Sequence, residues 1–170
     1  MGIDASFLRG FDLFRSYPEE ELERLAGLLH PRLVDSGQIL CRQGEAGTRC
    51  FLLVGGTVSV YRELPDGSRV FLAPLLPGAL FGQVAVFDGL PRTATCEAQG
   101  SVRVLEIDGP VFLQAIQGQT RLAVLLQREL SRSLVRQLRM TNQRLSELED
   151  APEEILTTGL TALLSGMDGT

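Results

Sequence analysis

The order of apolar and polar positions changes character twice along the chain. Over residues 7–30, Leu22, Leu25, Leu28 and Leu29 fall on one face of a helical period. Ser16 followed by Pro18, Glu19 and Glu20 marks a helix start, with acids in the first turn where the macrodipole favours them. Pro31 closes the run. This stretch predicts a helical lead-in.

From Leu33 to Asp108 the period shortens to two. Segments such as Cys50–Val54, Val58–Tyr61 and Val102–Ile107 are parted by recurring glycines, among them Gly37, Gly44, Gly56, Gly67, Gly82 and Gly100. Many short strands spaced by about 8–12 residues predict an all-β sandwich, roll or barrel. Pro65-Asp66-Gly67, between Val58–Arg62 and Val70–Leu72, predicts a hairpin turn.

Helical periodicity returns at Gly109 and dominates from Thr120 to Leu148. Leu122, Leu126, Leu130, Leu134, Leu138, Thr141, Leu145 and Leu148 form one stripe, with heptad steps from Leu134 onward. Arg128, Arg132, Arg136 and Arg139 lie on the opposite face. A helix of ~28 residues is ~42 Å long, longer than a small β domain needs for cover. Its stripe is therefore expected to meet a second copy of the chain. Asp150-Ala-Pro152-Glu-Glu then starts a short last helix. The expected organisation is a β domain with N-terminal helices over 1–118, a long dimerisation helix over 119–149, and an acidic tail with a short helix over 150–170.

Composition narrows the function. The chain has 170 residues, 44% hydrophobic and 22% charged, which fits one globular domain with an appendage. Its formal net charge of −5 speaks against a dedicated nucleic-acid binder. The charge is uneven, however: residues 121–144 carry six Arg and one Glu, and residues 145–170 carry six acids and no base. A tail folded back on the basic helix, its own or its partner's, is one expectation from that asymmetry.

No stretch reaches the ~18 apolar residues of a membrane span, and Asp4, Asp12, Glu19 and Glu20 do not suit a signal peptide. Cys41, Cys50 and Cys96 have no CxxC spacing, so they read as reduced thiols of a cytoplasmic protein. His30 is the only histidine and no nucleophile motif accompanies it. No catalytic residues and no metal site are expected, and the chain does not read as an enzyme.

The informative stretch is Phe81–Thr95, FGQVAVFDGLPRTAT. Gly82 lets the backbone approach a ligand, and the residues after it form a short turn presenting N–H groups. Arg92 brings a planar, permanently charged donor and Thr93 a hydroxyl beside it. Such a turn is an anion cradle that suits a phosphodiester.

This stretch resembles the phosphate-binding cassette of the cyclic nucleotide-binding domain family, whose usual form is F-G-E-x-A-x…P-R-x-A-[TS]. Leu13–Leu22 resembles the family's helical lead-in, Gly37–Glu45 its G-x-x-[IL]-x-x-x-G-[ED] turn, and Phe51–Val58 its hairpin. Together these cover about residues 7–145 in the family's order. The resemblance implies a mainly β fold, an eight-stranded antiparallel, jelly-roll-like β-roll flanked by helices.

It also implies roles for residues. Arg92 would pair with the cyclic phosphate, helped by Thr93. Gly82 is the cassette glycine, and the backbone of Val84 and Ala85 forms the capping turn. In regulators of the catabolite activator type, the long helix is a dimer interface and a Thr-Ser pair on it contacts adenine; Thr141 and Asn142 match those positions. Thr141 reads either as that contact or as a polar residue fixing dimer register. The ligand implied is cyclic AMP or a related cyclic nucleotide, with no cofactor. The implied module is a homodimer that acts through a protein partner. No recognition helix follows the long helix, so DNA is not expected as a partner, and the lack of a long apolar stretch speaks likewise against a membrane.

One departure keeps a second reading open. The family's cassette Glu, which accepts from the ribose 2′-hydroxyl, is Gln83 here. A neutral acceptor is weaker by ~1 kcal/mol, about five-fold in affinity. The alternatives are a sensor with weakened binding and an interaction dimer with a degenerate pocket.

Overall fold

The computed structural model describes residues 3–149. The expected acidic tail, 150–170, lies outside them. The chain divides into two compact units at Leu130/Ser131, within the helix Arg121–Glu149.

The first unit opens with α1 (Ala5–Arg9), a 3-10 turn (Asp12–Phe14) and α2 (Glu19–Ala26). The lead-in is thus several short pieces where one helix over 7–30 was expected. Pro18 stands at the N-cap of α2, and Ser16 makes no cap there. The helix ends at Gly27 rather than at Pro31, which lies in β1 (His30–Val34) opposite Leu105.

Next come β2 (Ile39–Cys41), β3 (Arg49–Glu63), β4 (Arg69–Leu75), β5 (Leu80–Phe81), α3 (Gln83–Asp88), β6 (Thr95–Asp108) and α4 (Gly109–Gln117). The six strands are all antiparallel, in the order β1-β6-β3-β4, with β2 on β6 and β5 on β3. The family resemblance implied eight. The lower number follows from length, since β3 and β6 span 15 and 14 residues and each serves several neighbours. Their mutual register breaks around Gly55, where the ribbon bends without ending. The expected hairpin joins β3 to β4: Leu64 N–H donates to the Ser68 carbonyl, and Asp66 Oδ1 accepts from both N–H and hydroxyl of Ser68.

Alternation along β3 sorts side chains between two cores. Phe51 and Leu53 enter the interior of the roll with Val58, Val102, Val104, Cys41 and Cys96. Cys50 and Leu52 face the helices with Leu22, Leu25, Phe112 and Ile116. The start of α5 (Arg121–Glu149) joins this second core through Leu122, Leu126 and Leu130. The cassette runs between the cores: Phe81 belongs to the roll interior and Val86 to the helical side.

The second unit is described from Ser131 to Glu149 of α5. Leu134, Val135 and Leu138 are exposed there.

Candidate functional site

Gly82 sets the geometry of the cassette. It caps α3 in the left-handed region at φ 76°, which side chains rarely adopt. A Cβ there would also stand 3.0 Å from Arg92 Nη1 and 3.2 Å from the Arg49 carbonyl oxygen. Having no side chain, Gly82 offers no capping acceptor to the first N–H groups of α3.

Arg92 lies ten residues on and is 7% exposed. Its Nη1 donates to the Gly82 carbonyl, and its Nη2 donates to the Arg49 carbonyl at 2.6 Å. The backbone is fixed as well: Arg92 N–H donates to the Glu45 carbonyl at 2.8 Å, and Gly44 N–H donates to the Arg92 carbonyl at 2.9 Å. The guanidinium is therefore held by backbone oxygens. Neighbouring charges are satisfied elsewhere, Arg49 by Glu106 and Asp108, and Glu45 by Arg42. Among the described residues no carboxylate forms an ion pair with Arg92. Two of its five N–H bonds are engaged by these carbonyls.

The rest of the cassette is placed around this pair. Gln83 is fully buried, at 0% exposure. Ala85 is buried, with its backbone against Gly47, where an added Cβ would lie 2.7 Å from the Ala85 carbonyl carbon. That contact locks the loop after β2 onto α3. Val84 is half-buried and Thr93 is exposed. Gly82, Gln83, Val84, Ala85, Arg92 and Thr93 thus gather in one place. Thr141 and Asn142 belong to the second unit, exposed on α5.

Some supporting residues were not anticipated. Gln43 clamps β3 through its side-chain amide, donating to the Glu63 carbonyl at 3.0 Å and accepting from Glu63 N–H at 2.8 Å. Buried Thr95 accepts from Gln43 N–H at 3.0 Å and donates to Glu63 Oε1 at 3.1 Å. Both lie inside the quoted motifs, Gln43 before Gly44 and Thr95 at the cassette's end, but their partner on β3 is distant in sequence. A cavity of about 280 Å³ lies elsewhere, lined by Ile3, Phe7, Leu33, Val54, Arg103 and Leu105 among others, none of them in the cassette.

A mainly antiparallel β-roll with a glycine-capped turn and a buried arginine defines a class. Residues 31–119 match the cyclic nucleotide-binding domain, and the chain belongs to that family. It is 28% identical over 136 residues to a CRP-like cAMP-activated global transcriptional regulator of Mycobacterium tuberculosis, covering 80% of this chain and 59% of that protein. It is 36% identical over 100 residues to a cyclic nucleotide-gated potassium channel of Mesorhizobium japonicum, covering 59% of this chain and 26% of the channel. Among solved structures, the Thermus thermophilus catabolite activator protein superposes with a TM-score of 0.70 at 28% identity, covering 81% of this chain and 62% of that one. The chain therefore spans less than two thirds of each of these relatives. No helix among the described residues is long and apolar enough to cross a membrane.

Proposed function

We propose that the first unit binds cyclic AMP or a related cyclic nucleotide, with the cyclic phosphate against Arg92, and passes that state to a protein partner. The observation that carries this reading is Arg92 itself, a buried guanidinium held by two carbonyls with no carboxylate in ion-pair contact among the described residues. An unpaired buried charge is costly, and an anionic guest restores the balance. Gly82, the N–H groups of Val84 and Ala85, and the Thr93 hydroxyl complete the cradle. Buried Gln83 supplies a neutral acceptor for the ribose, which weakens binding without abolishing it. The roles of Thr141 and Asn142 as base contacts rest on the family resemblance alone.

The module is regulatory and not catalytic in this reading. It pairs with a second copy through α5, supported by the exposed Leu134, Val135 and Leu138. Isothermal titration with cyclic AMP and cyclic GMP tests the ligand. Saturable heat with either is expected, and none with either at millimolar nucleotide overturns it. A dimer without nucleotide binding is the second reading, and Gln83 in place of the family's Glu is the observation that favours it.

A further inference from the structure

The roll interior holds two thiols face to face. Cys41 on β2 and Cys96 on β6 are directly opposed partners in an antiparallel ladder. Opposed residues in such ladders have Cα atoms about 4.5–5.5 Å apart, inside the ~4.4–6.8 Å range that a disulfide spans. Both side chains point into the interior of the roll, where both are buried. We propose that Cys41 and Cys96 form a reversible dithiol–disulfide couple beside Arg92.

The pair is chemically asymmetric. The hydrogen bond with Cys96 holds the Cys41 thiol below its ordinary range, and the positive charge of Arg92 acts in the same direction. The same hydrogen bond and burial raise Cys96. Cys41, on the three-residue β2, is assigned as the attacking thiol and Cys96, on the long β6, as the resolving thiol. Cys50 lies on the opposite face of β3, where burial pushes its thiol up to about 12. It serves as an internal control.

The oxidant is a hydroperoxide. The Cys41 thiolate attacks the terminal peroxide oxygen, the O–O bond breaks, and the departing alkoxide or hydroxide takes a proton, leaving Cys41 as a sulfenic acid. Cys96 then loses its proton and attacks the Cys41 sulfur. The S–O bond breaks, hydroxide leaves as water with that proton, and the S–S bond forms. Two electrons pass from the thiols to the peroxide, and a dithiol reductant reverses the change. Both thiols are buried, at 4% and 7% exposure, so attack requires local opening. β2 offers it: the strand has three residues, a register irregularity, and β6 as its one strand partner among the described residues.

The bond would tie together the chain segments that hold Arg92. Gly44 and Glu45, just after β2, bond the Arg92 backbone, and Cys96 follows Arg92 by four residues. Formation of the couple is tested without nucleotide, so it stands or falls apart from the ligand reading.

The full chain is treated with hydrogen peroxide and its thiols are counted after denaturation. The count is expected to fall from three to one with a loss of about 2 mass units per chain, and to return to three with dithiothreitol. Trypsin is expected to release peptides 33–42 and 93–103 joined to each other. Cys50→Ser should give the same link, and Cys96→Ser should leave Cys41 as a sulfenic acid trapped by dimedone. The proposal is overturned if three thiols persist under conditions that fully oxidise a reference dithiol peptide, if the link includes Cys50, or if it joins two chains.

Discussion

The cassette and the second unit's stretch of α5 break the same rule in opposite directions. The cassette buries groups that belong in water: the Arg92 guanidinium, the Gln83 amide and the Thr95 hydroxyl. Helix α5 exposes groups that belong out of it, with Leu138 at 61% and Leu134 and Val135 beside it in sequence. A buried polar group needs a partner, and clustered exposed apolar groups mark a surface awaiting one. On the proposed reading, the contrast corresponds to two partners of different chemistry, an anion for Arg92 in the first unit and a second apolar helix for the other.

The sharpest way to break the contrast is at its buried end. Arg92→Gln keeps a donor for the carbonyls and removes the charge. Two charge-assisted bonds at about 1.5 kcal/mol each predict a loss of a hundredfold or more in cyclic AMP affinity by titration, with the oligomeric state unchanged. At the exposed end, Leu138→Glu removes about 1.5 kcal/mol of burial per copy, so the dimer weakens by about a hundredfold. Sedimentation then gives a monomer at tens of micromolar where the unaltered chain gives a dimer; a mass near 18.5 kDa for the unaltered chain contradicts the pairing.

Gly82→Ala probes the frame between ligand and roll. The left-handed backbone predicts about 1–2 kcal/mol of destabilisation, read as a melting temperature lower by about 3–6 °C, with weaker nucleotide binding. The smallest effect is expected at Gln83→Glu. Restoring a charged acceptor tightens cyclic AMP about five-fold, through ~1 kcal/mol. No gain would remove Gln83 as the reason for weakened binding.

Much of the architecture was legible in local pattern. Alternation with recurring glycines marks strands because successive side chains change faces, and Pro65-Asp66-Gly67 specifies a turn from its own residues. The lead-in was less legible because Leu22, Leu25, Leu28 and Leu29 keep a helical spacing past the point where the helix ends. Gly27 and the pairing of Pro31 with Leu105 on β6 decide its end. The eight strands implied by the family resemblance become six among the described residues, because β3 and β6 each run on through a bend as a single strand.

Within the site, Gly82 and Arg92 were readable because their chemistry is carried by residue type and spacing. Gln43, Thr95 and the Arg49 carbonyl were not. They act through backbone groups and through pairing with residues far along the chain, such as Glu63. The facing of Cys41 and Cys96 is likewise a matter of strand register, invisible in their separation along the sequence.

The central claim, that an anionic nucleotide completes the charge of Arg92, is tested most directly by a crystal structure of the full chain grown with cyclic AMP. The account predicts the cyclic phosphate in contact with the Arg92 guanidinium and the α3 N–H groups, with Gln83 at the ribose. Saturating cyclic AMP that leaves Arg92 held only by the Gly82 and Arg49 carbonyls, or nucleotide density away from the cassette, would contradict it.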